Sequence, residues 1–79
     1  MGENSRLIMD FPLAGGIKLR DATRPAVIDQ ANHYSKSAKD MGHKSRWLFA
    51  VAKCLKNDEQ IVGKVLSGER VLNLYAEAA

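Results

Sequence analysis

Ser45-Arg46-Trp47-Leu48-Phe49-Ala50-Val51-Ala52-Lys53-Cys54-Leu55-Lys56 is the most apolar run of the chain and holds its only Trp and only Cys. Trp47, Leu48, Val51, Cys54 and Leu55 recur at spacings of three and four, which puts them on one side of a helix of period 3.6. Ala50 and Ala52 favour that state intrinsically and are small enough to let a neighbouring helix approach. Phe49 falls outside the stripe, so the apolar arc is wide, and only a strip through Arg46, Ala50, Lys53 and Lys56 suits water. A helix apolar over most of its circumference needs partners on more than one side. The rest of the chain is therefore expected to pack around residues 45–56.

Outward from that helix, Gly42-His43-Lys44 reads as the turn that enters it, with Ser45 as its cap. Upstream, Thr23 is a good N-cap and Pro25 belongs to a first turn, where its missing N–H costs nothing. Val27, Ala31, Tyr34, Ala38 and Met41 then repeat at helical spacing, and Gly42 stands as the residue after the helix end. Downstream, Asn57 and Gln60 stand at capping-box spacing before a short helix that turns Ile61, Val62, Val65 and Leu66 inward. Gly63 either weakens that helix or permits close packing. Ser67-Gly68-Glu69 reads as a further turn and cap, opening a last helix marked by Val71, Leu72, Leu74, Tyr75 and Ala78.

The N-terminal end reads differently. Met1 to Arg6 has no periodicity and is expected to be mobile. Leu7–Phe11 and Ile17–Arg20 are short apolar runs on either side of Pro12-Leu13-Ala14-Gly15-Gly16, where Gly-Gly supplies the backbone angles of a turn. They read as a short β-hairpin, with Ile17 and Leu19 facing one way and Lys18 and Arg20 the other, or as an extended arm. The fold class expected is mainly α: a small bundle of about four helices with an N-terminal extended arm or short β-hairpin. Residues 1–20 are expected to form the arm or short hairpin and 21–79 the helical domain.

Seventy-nine residues make one domain, near the size at which a single core is only marginally sufficient, so a homodimer is expected. Apolar content of 46% and charged content of 27% argue against wholesale disorder. No apolar run is long enough to cross a bilayer, and the start lacks the layout of a signal peptide. A single Cys in an apolar stripe reads as a small buried hydrophobe. On these readings a cytoplasmic location is expected.

The net charge of +3 is unevenly distributed. Between Ile17 and Lys56 nine basic residues face three acidic ones, a net of +6, whereas from Asn57 to Ala79 two basic residues face four acidic ones, a net of −2. A concentrated positive surface suits a polyanion or an acidic protein. Lys18, Arg20, Lys36, Lys39, Lys44, Arg46, Lys53 and Lys56 are the candidate nucleic-acid contacts.

Two patterns would organise that surface on DNA. Ala50 to Leu66 resembles a helix-turn-helix, with Ala52 at the tight-packing position, Leu55 closing the first helix and Val62 and Val65 anchoring the second. That resemblance implies Asp58, Glu59, Gln60 and Lys64 facing the major groove. It departs from the pattern at Lys56, where a turn Gly is usual, and at Asn57, where an apolar residue is usual. Ile17-Lys18-Leu19-Arg20 followed by two helices resembles a ribbon-helix-helix repressor, which implies a dimer whose paired strands read base edges through Lys18 and Arg20.

Catalysis has little to stand on. His33 and Asp29 at i, i+4 read as solvated side chains, and Cys54 with His43 lacks an orienting third group. No cofactor motif and no metal-ligand spacing is present, so no enzyme, no cofactor and no metal are expected. The competing class is an adaptor or inhibitor module that recognises an acidic protein, with Phe49 and Arg46 as its contacts, because interfaces favour aromatic and Arg residues. DNA binding, in the manner of a small transcriptional regulator, stands ahead of it on charge.

Overall fold

The computed structural model describes residues 3–37 and 42–79. Among the described residues five α-helices follow one another: α1 Glu3–Met9, α2 Arg24–Ser37, α3 Gly42–Lys53, α4 Val62–Val65 and α5 Gly68–Glu77. The helical class is as expected, whereas the N-terminal arm or hairpin is not formed. Glu3–Met9 is a helix, which places Glu3 to Arg6 in regular structure. It ends in tight turns, Asp10 N–H to Leu7 O at 3.1 Å and Phe11 N–H to Ile8 O at 3.2 Å. Pro12 follows, and having no N–H it cannot prolong a helix.

The Gly-Gly turn does form. Gly15 and Gly16 have φ of 84° and 79°, a region glycine enters without steric cost. Leu13 N–H donates to Ile17 O at 2.8 Å and Leu19 N–H to Phe11 O at 2.9 Å, closing the chain on itself. Pairing stops at one antiparallel bridge, Pro12 with Lys18, because α1 occupies one would-be strand and a 3-10 turn at Leu19–Asp21 takes the other. The segment is core material rather than an arm, since Met9, Leu13 and Leu19 are all buried.

The helix over residues 45–56 is shifted. α3 starts at Gly42, so Gly42 does not stand outside a helix end and Ser45 is not a cap. Ser45 is buried, and its hydroxyl donates to Ala31 O at 3.0 Å, tying α3 to α2. Trp47, Leu48 and Val51 are fully buried, Ala52 and Leu55 nearly so, and Cys54 is half-buried. Phe11 and Tyr75 meet the Trp47 ring edge-to-face, with centroids 5.1 and 4.9 Å away. One aromatic side chain thus joins the N-terminal segment, α3 and α5, and each such edge-to-face pair contributes about 0.5–1.5 kcal/mol beyond area burial. From α2, Val27 and Ala31 enter the same core and Tyr34 packs against it, while Ala38 and Met41 lie outside the described residues.

α4 is a single turn pinned sideways to the segment before α2. Val62 N–H donates to Ala22 O at 2.9 Å, and Thr23 and Ile61 form an antiparallel bridge. Close approach explains Gly63, because a Cβ there would come 2.7 Å from Arg20 O. Gly68 is confined in the same way by Ser5 O of α1, and α1 packs chiefly on α5. Ser67 caps α5 as expected, its hydroxyl accepting from Arg70 N–H at 3.1 Å. Among the described residues no helix is long and apolar enough to cross a membrane.

Candidate partner-binding face

α3 carries the residues that the rest of the fold leaves outside. Its buried side chains hold one arc, so the helical period turns Arg46, Phe49 and Lys53 together onto the opposite arc. Arg46 and Lys53 are exposed, and Phe49 is 36% exposed on a helix whose Trp47 and Leu48 are at 0%. At 1.5 Å per residue the strip from 46 to 53 is about 10 Å long. Lys56 is exposed in the loop just beyond it.

Arg46 also has a partner within the fold. Its Nε donates to Ala78 O at 3.0 Å, at the C-terminal end of α5. His43, one turn earlier, lies 2.6 Å from Tyr75 O through Nε2, with its ring 4.2 Å from the Tyr75 ring. A carbonyl only accepts, so Nε2 carries the proton in this contact. Both side chains meet the orphan carbonyls of a helix C-terminus, where a cation is also favoured by the helix dipole. The Arg46 side chain is therefore tethered to the end of α5 at the edge of the strip.

The other candidate contacts do not join this strip. Arg20 is a strut: its guanidinium Nη2 lies 2.7 Å from Asp10 Oδ1 and 3.4 Å from Arg6 O, while its Nε is buried without an acceptor. Lys18 is exposed, and with Arg6, Arg20, Asp10 and Asp21 it surrounds a shallow depression of mixed charge. Lys36 lies in the last turn of α2 and the half-buried Lys44 in the first turn of α3, and Lys39 lies outside the described residues.

Both groove-reading geometries fail on the described backbone. The ribbon mode needs a strand over residues 17–20, but Leu19–Asp21 is a 3-10 turn, Ile17 points outward at 41% exposure and only Leu19 is inside. The helix-turn-helix mode needs a recognition helix, but α4 has four residues and its supposed anchor Val65 is 40% exposed. Asp58 and Glu59 sit in an irregular turn, where Asn57 Oδ1 accepts from Glu59 and Gln60 N–H at 2.9 and 3.1 Å. The capping-box spacing thus stabilises a turn rather than opening a helix. Asp58 also pairs with Arg24, at 3.0 Å.

One buried polar residue escaped the sequence pattern. Gln30 is 7% exposed, and its Oε1 accepts from Ala14 N–H at 2.8 Å, fastening the Gly-Gly turn to α2. Its only trace in the sequence is a polar residue three positions after Val27 and one before Ala31, inside the apolar face of α2. Among the described residues no group of three or more His, Cys, Asp and Glu side chains is placed to hold a metal ion. No protein-family model, curated protein or solved structure matches this chain.

Proposed function

We propose that this protein is a non-catalytic binding module that takes an acidic segment of a partner protein onto the Arg46–Phe49–Lys53 strip of α3, extended by Lys56. The observation that carries the reading is Phe49. A large aromatic side chain left more than a third exposed on the central helix, with cations at i−3 and i+4, combines an apolar anchor with a charged rim. An acidic helix or extended segment bearing an apolar side chain complements both. The cations steer the encounter and Phe49 supplies desolvated contact.

Duplex DNA is the competing polyanion, and the net of +6 over residues 17–56 is what speaks for it. Against it, Arg20 and Arg24 are engaged with Asp10 and Asp58, and neither groove-entering element is formed. Phosphate contact also has no use for an exposed Phe.

Anisotropy titrations of the full chain against a labelled peptide of alternating Glu and Leu, and against a labelled duplex, separate the two. The expected result is saturable peptide binding that weakens about tenfold or more in Phe49→Ala and in Lys53→Glu, one factor of ten being about 1.4 kcal/mol. Duplex binding that falls steeply with salt, together with peptide binding indifferent to Phe49, would overturn the reading in favour of nucleic acid.

A further inference from the structure

A second site lies between α2 and the Gly-Gly turn and shares no residue with the α3 strip. Gln30 is more than nine-tenths buried, and the donor Ala14 N–H fixes which end of its amide is the oxygen. Nε2 therefore points the other way, and no described group accepts from it. Among the described residues the fully buried side-chain nitrogens without a partner are Arg20 Nε and Trp47 Nε1, and Gln30 Nε2 is not one of them. Gln30 also lines a cleft, together with Ala14, Ile17, Ala26, Asp29 and His33.

The lining has three parts of different chemistry. Gln30 brings a donor whose orientation is fixed by the bond its oxygen accepts from Ala14. Ala14, Ala26 and the 41% exposed Ile17 form an apolar wall. Asp29, exposed on α2, makes no ion pair with any described residue and is the carboxylate of the lining. The protein as a whole is basic, so this cleft is locally of the opposite sign.

We propose that the cleft binds an arginine residue of a peptide. The backbone carbonyl of that residue accepts from Gln30 Nε2, its aliphatic stem lies along Ala26 and Ile17, and its guanidinium pairs with the Asp29 carboxylate. Arginine fits because its stem covers apolar surface while its charged head stays wet, and its planar fork matches a carboxylate. The His33 side chain, at i+4 from Asp29, adds a second planar group on which a guanidinium can stack.

The test is a titration of the full, nitrogen-15-labelled chain with N-acetyl-arginine amide, followed by NMR at the Gln30 side-chain amide pair and the Ala14 backbone amide. Saturable shifts at both are expected, with a midpoint in the millimolar range for so small a ligand. N-acetyl-citrulline amide, of the same shape without the charge, should bind at least fivefold more weakly, as should the arginine amide to Asp29→Asn. Asp29 is exposed, so that variant keeps the remaining spectrum, and the citrulline comparison on the unaltered chain stands without it. Shifts that do not saturate, equal affinity for citrulline and arginine amides, or an Asp29→Asn variant that binds as well as the parent would each overturn the proposal.

Discussion

Gly63→Ala sets local propensity against tertiary packing. Gly63 lies within α4 and has no positive φ, so by propensity alone Ala should stabilise the turn by about 0.5–1 kcal/mol. The fold predicts the opposite. A Cβ at this position would sit 2.7 Å from Arg20 O and 3.2 Å from Arg20 Cβ, and the first contact is with backbone, which cannot rotate away. Relief requires α4 to move off the Leu19–Asp21 turn by roughly half an ångström, at a cost of about 1–3 kcal/mol for forcing atoms into a packed contact. That movement strains the 2.9 Å bond from Val62 N–H to Ala22 O, worth about 1 kcal/mol. The net expectation is a loss of about 1–3 kcal/mol, or roughly 4–24 °C in Tm for a domain of this size. Urea unfolding followed by far-UV circular dichroism measures it, and Gly63→Ser should fall within a few tenths of a kcal/mol of Ala, since the clash is with Cβ. A Gly63→Ala protein as stable as the parent would refute the reasoning.

Three further substitutions probe the rest of the fold. Ser45→Ala removes the buried hydroxyl bond to Ala31 O and should cost about 0.5–1.5 kcal/mol in urea unfolding, more than an exposed Ser35→Ala control. Ser67→Ala removes the α5 cap and should cost about 1 kcal/mol, whereas Ser67→Asp, which keeps an acceptor and places a negative charge at the helix start, should lose little. Phe49→Ala should change stability by about 1 kcal/mol or less while Trp47→Ala costs about 3–5 kcal/mol and leaves little folded protein at 37 °C, a contrast that thermal melts display directly.

Helix content and the core of α3 were legible because they rest on period and side-chain size. Trp47, Leu48, Val51 and Leu55 are inside wherever the neighbours come from, since their burial is the main driving force of folding. The Gly-Gly turn and the Ser67 cap were legible for a similar reason, both being local chemistry within four residues. The N-terminal runs were not. Leu7–Phe11 is too short for its pattern to separate strand from helix, and packing against α5 decided in favour of helix.

The candidate site divides along the same line. From sequence, Arg46, Phe49 and Lys53 share one helical face, and the structure leaves that face outside. Long-range placement decided that Arg20 is held by Asp10, that Arg46 reaches Ala78, and that Gln30 holds Ala14. These partners lie 10, 32 and 16 residues away along the chain. A residue list records charge and periodicity but not which distant carbonyl or carboxylate will arrive beside a side chain. Period and local chemistry were determined by the sequence of each segment alone, whereas the pairing of polar groups was decided only when the whole chain closed around Trp47.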